Sequence, residues 1–228
     1  MARIKIFAMI PRREDVPVKQ FHDHWRHPHG TMGRQISTIR KYVQSHRCTS
    51  PHIGENAETY EGIAEVWMDS LSDANGLATE PTYVAHAVPD EPNFIDLEGL
   101  VFFLTEEEVL KSGPDHGGDV SYADSVWFDD DRCFSVKLIQ IHRGSWPSWD
   151  IATELELGAA LNCVRQVHCF PARGAYDNVP PPFSGVREMW WPTLTLFEEG
   201  VARAPEAFSR LVGATSVISI LAQAERFK

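Results

Sequence analysis

The sequence is short of the features that usually announce a cofactor or a macromolecular partner. Only four cysteines occur in 228 residues, Cys48, Cys133, Cys163 and Cys169, and no two form a C-x-x-C pair. This excludes a zinc knuckle and a dithiol redox motif, and it fits a reducing compartment. No Lys/Arg-rich run interrupts a net charge of −11, so neither nucleic acid nor an anionic membrane is an expected partner. No apolar stretch approaches the roughly 20 residues of a membrane span. The opening run Arg3-Ile4-Lys5-Ile6-Phe7-Ala8-Met9-Ile10 is too short and too alternating for a signal peptide, and a cytoplasmic protein is expected. G-x-G-x-x-G, P-loop and G-x-S-x-G motifs are also missing, which disfavours nicotinamide, ATP and serine-hydrolase chemistry. The expected cofactor is none, and the expected metal is none.

Histidine, by contrast, is concentrated. Four of the ten histidines fall within Phe21-His22-Asp23-His24-Trp25-Arg26-His27-Pro28-His29. On a continuous helix His22, Arg26 and His29 share one face, with Phe21, Trp25 and Pro28 beside it. His24 and His27 then fall on the solvated side. That spread argues against a four-histidine metal site.

The chain also repeats itself. Gly62-Ile63-Ala64-Glu65-Val66-Trp67 echoes Gly185-Val186-Arg187-Glu188-Met189-Trp190, an offset of 123 from Glu65 to Glu188. Each half reads βαββαβ, the ferredoxin-like unit. In the first, strands are expected at Ile4–Ile10, Ile39–Arg47, Tyr60–Met68 and Leu100–Thr105. Helices are expected from near Asp15, with Pro17 in the first turn, and from about Ser72, broken by Pro81 and Pro89. In the second, strands are expected at Phe134–His142, Asn162–Phe170, Val186–Leu196 and Ser216–Gln223. Its helices are expected from the N-cap Ser148 to Ala160 and at Pro205–Val212. The expected organisation is a repeat over 1–110, a Gly/Asp/Ser-rich linker with His116 over 111–132, and a second repeat over 133–228. A ferredoxin-like sheet is apolar on its helix-free face. The two halves are therefore expected to form an intrachain α+β barrel, a pseudo-dimer of packed four-stranded sheets around a cavity. Matching Ile10 to Ile141 gives an offset of 131 for the first strands. The histidine cluster then has no counterpart in the second half, so chemistry belongs to one side. Exposed strand edges or helices leave room for a further homodimer.

Four motifs in order make residues 4 to 110 resemble the EthD family of the dimeric α+β barrel superfamily. They are Phe21-x-x-x-Trp25-Arg26-x-x-His29, Tyr42-Val43-Gln44-x-His46, Gly62-Ile63-Ala64-Glu65-x-Trp67 and Asp90-Glu91-Pro92-Asn93-Phe94-Ile95-Asp96. The second half resembles the family only through Gly185, Glu188, Trp190 and topology. The resemblance implies the barrel fold and an association with bacterial degradation of ethers and aromatics. Barrels of the wider superfamily isomerise lactones, act on aromatic polyketides, or work as cofactor-free monooxygenases or haem enzymes.

His29 matches the family histidine and suits proton abstraction beside a carbonyl, since its pKa lies near neutrality. Tyr42 and His46, four apart on a strand, share a face, and Tyr42 is placed to hold a substrate oxygen. Glu65 and Trp67 share a face of the third strand, where burial raises a carboxylate's pKa. The structural alternative is an ion pair of Glu65 with Arg26 or Arg187, which the recurrence at Glu188 favours. His29, Tyr42 and Glu65 are the candidate catalytic residues. His22, Trp25, Arg26, His46 and Trp67 are the candidate binding residues, for a small hydrophobic or aromatic ligand. Two rivals stand beside cofactor-free proton transfer: a non-catalytic binding protein, and a haem- or oxygen-using barrel with His29 or another histidine as axial ligand.

Overall fold

Strands in this chain follow the alternation of side chains across a pleat. The computed structural model describes residues 3–53, 60–113, 134–146, 150–213 and 217–228. Its strands are β1 (Ile4–Ile10), β2 (Lys41–Arg47), β3 (Gly62–Met68), β4 (Val101–Ser112), β5 (Phe134–His142), β6 (Arg165–Pro171), β7 (Gly185–Trp191) and β8 (Val217–Arg226). They close into one antiparallel barrel in the order β1-β3-β2-β8-β5-β7-β6-β4. Each half thus contributes a ferredoxin-like set, β4-β1-β3-β2 and β8-β5-β7-β6. The joints are β2 to β8 and β4 to β6.

Among the described residues, side chains occupy the space between the two sheets where a cavity was expected. Inward-facing Phe7, Met9, Ile63, Phe103, Ile139, Ile141, Val186 and Ile220 fill one core cluster. A buried charge cluster occupies the rest of the interior. Lys5 Nζ lies 2.9 Å from Glu65, 3.2 Å from Glu107, and bonds Glu188. Lys137 Nζ lies 2.8 Å from Glu65 and 3.2 Å from Glu188. The partners of Glu65 are therefore lysines, not the expected Arg26 or Arg187. Burial would lower Lys5, but the carboxylates of Glu188, Glu65 and Glu107 raise it well above its ordinary value. Burial and the adjoining Glu65 carboxylate raise Glu188, while Lys137 and Lys5 hold Glu65 low against its own burial. Such a network is retained because removing one member leaves an unpaired buried charge.

Several boundaries move. β4 runs on to Ser112, because residues from Thr105 onward pair with β6. Its Glu106-Glu107-Glu108 run disguises that extension. β7 stops at Trp191, and the expected strand to Leu196 gives way to a helix, Leu194–Arg203, capped by Thr193. The helix Ile151–Ala160 is capped by Asp150. Ser148, His116, Cys133 and the linker beyond Gly113 lie outside the described residues.

The pairing registers also correct the match between halves. Lys5 pairs with Trp67 as Lys137 pairs with Trp190, so the offset of the first strands is 132, not 131. The slip matters because one residue exchanges the two faces of a strand. Met9, not Ile10, corresponds to Ile141, and Ala8 corresponds to Gln140.

Candidate functional site

The histidine segment does not form one helix. Val18–His24 is α-helical, and Gly30–Gly33 resumes after a break in which His27 is extended, at φ −151° and ψ 123°. Pro28 accounts for the break, since the residue before proline is pushed out of the helical region. The His27–Pro28 peptide is cis. As a result His22 and His29 part company, contrary to the shared face expected of a continuous helix.

His29 turns toward the segment after β3. Its Nδ1 lies 3.0 Å from Asp90 Oδ2, and its ring meets Phe94 at 5.0 Å. His24, expected to be solvated, reaches the other Asp90 oxygen at 2.9 Å, and Asn93 donates to it at 3.1 Å. Burial pushes Asp90 up, but the hydrogen bonds from Asn93, His24 and His29 leave it below the usual range. Burial lowers His29 more than Asp90 raises it. His29 is thus a neutral imidazole with Nδ1–H on a carboxylate, which leaves Nε2 as the basic nitrogen.

A cavity of about 70 Å³ lies between the helix-facing side of the first half's strands and its helices. Its walls are mostly apolar, with Ile6, Ala8, Ala64 and Val66 from the sheet. His29, Tyr42, Tyr83 and Glu91 supply the polar lining, and Trp25 also borders it. Tyr83 Oη donates to Glu91 at 2.6 Å, and burial raises Glu91. The volume is below the roughly 150 Å³ that admits benzene in an engineered cavity. A larger ligand requires the wall to yield, and this wall passes from a 3₁₀ turn, Leu77–Thr79, into a π-helical stretch, Tyr83–Ala87, rather than one regular helix.

Tyr42 and Glu65 do not share this site. Val43, not Tyr42, stands opposite Glu65 in the β2–β3 register. Tyr42, Gln44 and His46 therefore face the helices, while Glu65 and Trp67 face the barrel interior. Trp67 Nε1 donates to Glu107 at 2.7 Å, and its ring covers Lys5. Arg26 forms a two-pronged pair with Glu225 at 2.7 to 3.0 Å and does not line the cavity. His22 and His46 stand behind it, 2.9 Å apart through their Nδ1 atoms. Of the expected residues, the cavity brings together His29, Tyr42 and Trp25.

Asp90, Glu91 and Tyr83 were missed as functional candidates. Asp90 stands in a recognisable motif, and its spacing from His29 carries no local signal. In the barrel interior Glu107, Cys169 and Glu188 bring metal-type atoms within 4.8 Å of one another. The Lys5 ammonium already bonds two of them. A haem does not fit beside His29, because the neighbouring cavity is far smaller than a porphyrin.

Fold and site together define an α+β barrel with a helix-side pocket on one half. Residues 13–98 match the EthD domain model. The whole chain superposes on a candidate monooxygenase from Fusobacterium nucleatum with TM-score 0.51 and 8% identity, covering 100% of this chain and 93% of that one. A candidate monooxygenase from Lactobacillus acidophilus gives 0.49 and 9%, covering 100% and 95%. A mutant chlorite dismutase from Candidatus Nitrospira defluvii gives 0.47 and 12%, covering 100% and 93%. At such identities the likeness concerns fold alone. No curated protein matches the chain.

Proposed function

We propose that this protein binds a small, largely apolar molecule in the helix-side pocket of residues 1–110 and moves a proton on it without a cofactor. Residues 133–228 complete the barrel, so that one chain acts as a pseudo-dimer. The observation that supports this most is the Asp90–His29 pair at the wall of an otherwise apolar cavity. Asp90 fixes the tautomer, and Nε2 takes a proton from a carbon next to a carbonyl and returns it to another position. The net change is an isomerisation, or the first half of a dehydration, with no electrons exchanged. A degradative role on aromatic or lactone-like compounds accords with the EthD domain.

The test is exchange of α-hydrogens of small aromatic ketones and lactones in D₂O, followed by NMR. His29→Ala should lower deuterium incorporation by about 10²- to 10⁴-fold. Incorporation that survives the substitution would overturn the role of His29. Tight binding with no incorporation in the native protein would favour a ligand-binding protein without turnover.

A further inference from the structure

A chain of polar groups runs from the protein's edge to the pocket, and its direction is fixed. Gln44 Nε2 lies 2.8 Å from the Trp25 backbone carbonyl and 2.7 Å from Tyr42 Oη. A carbonyl oxygen only accepts, so Gln44 must turn its NH₂ to this side. Its Oε1 is then the acceptor for His46 Nε2–H, at 3.0 Å. Burial, with Arg26 and His22 nearby, brings His46 down to about 2, so it is neutral and its Nδ1 accepts. The donor is His22 Nδ1–H, at 2.9 Å. On its far side His22 Nε2 faces Glu61 at 3.2 Å. Burial would raise Glu61, but bonds from His22 and Arg47 bring it down to about 2. Glu61 is therefore an acceptor facing His22.

The consequence falls on Tyr42. Its oxygen accepts from Gln44, so its own O–H points onward, and no described residue accepts that hydrogen. The Trp25 indole is fully buried, and its Nε1–H also lacks an acceptor among the described residues. It is directed at the same Tyr42 hydroxyl and lowers that group as a donor does, at a geometry short of a full hydrogen bond. Both side chains border the cavity. A buried O–H with no acceptor, beside an indole N–H that is poorly met, leaves a ligand acceptor as the missing partner.

We propose that Tyr42 Oη–H and Trp25 Nε1–H form an acceptor-binding point, and that the ligand presents a ketone, lactone or phenolate oxygen to them. Glu61, His22, His46 and Gln44 are positioning residues that keep Tyr42 a donor. This rests on the reading of the cavity as a ligand pocket. It adds that a plain hydrocarbon leaves both donors unmet, whereas a carbonyl places its α-carbon in the cavity that His29 also lines.

The test compares acetophenone with ethylbenzene, which match in shape, in the native protein, Tyr42→Phe and Gln44→Leu. Tyr42→Phe should weaken acetophenone about tenfold and leave ethylbenzene unchanged or tighter. Gln44→Leu should weaken acetophenone by a smaller factor in the same direction. In the infrared, the carbonyl stretch of bound acetophenone should be red-shifted in the native protein and revert in Tyr42→Phe. Equal changes for both probes, or an unshifted carbonyl in the native protein, would overturn the acceptor point while leaving the pocket standing. If neither probe binds the native protein, the pocket reading fails and the acceptor point with it. Should Tyr42→Phe not fold, the carbonyl shift in the native protein decides alone.

Discussion

The two halves of the barrel put the same strand frame to opposite uses. In the first half, Ala8 and Ala64 pair across β1 and β3 and line the cavity. Gln140 and Arg187 hold the corresponding pair across β5 and β7. Arg187 reaches Glu154 at 2.9 Å and Gln140 at 3.0 Å, all three buried, and the indole of Trp146 covers the guanidinium. Tyr42 corresponds to Gln166, and each faces a helical glycine. A Cβ on Gly33 would come within 2.9 Å of Tyr42, and one on Gly158 within 2.2 Å of Gln166. Helix and sheet approach closely in both halves. Two small side chains on the sheet line the pocket in one half, and Gln140 and Arg187 occupy the corresponding place in the other.

The largest expected effects come from breaking the charge networks. Lys5→Met takes one partner from three carboxylates and Lys137→Met takes one from two, and each should cost about 3–5 kcal/mol in urea unfolding, with Lys5 the greater. Arg187→Leu should cost a similar amount by leaving Glu154 unpaired. Adding Glu154→Leu should recover most of it, and the double variant measures how far the plug is a local device. A smaller effect belongs to the open half. Ala64→Leu fills the cavity and should weaken acetophenone at least about tenfold, with thermal stability kept.

The smallest effect concerns pH. Burial and the Arg187 charge lower His142 to about 3, as burial lowers His46 to about 2. Both folded values lie below the unfolded one near 6.5, so the unfolded chain takes up protons first. The stability each contributes is full above pH 6.5 and is lost as pH falls toward the folded value. His142 has no hydrogen-bond partner among the described residues. His142→Phe should therefore stabilise the acid side by about 1 kcal/mol and leave acetophenone binding alone, whereas His46→Phe should weaken it. Binding that responds to both equally would contradict the division of labour between halves.

The barrel was legible from the echo of Gly62–Trp67 in Gly185–Trp190, because that strand fixes the frame of both halves. The motifs single out His29 and Tyr42, but the expected pocket lay between the sheets, whereas the cavity these residues line is on the helix side. The separation of Tyr42 from Glu65 was not legible, because parity along one strand says nothing of the register between two. The Pro28 break was visible as a proline inside a helical pattern, and it undoes the i, i+7 relation of His22 and His29. Asp90 joins His29 across 61 positions, which no local pattern encodes.

The long β4 and β8 each serve two neighbours, one from either half, and so seal both seams of the barrel. A sheet that ends offers unpaired amides and carbonyls to any passing strand, and a closed one offers none. Contact through strand edges, allowed by the sequence, is thereby withdrawn. Among the described residues, further association is left to helices and loops, and the closed barrel gives aggregation no template on which to grow.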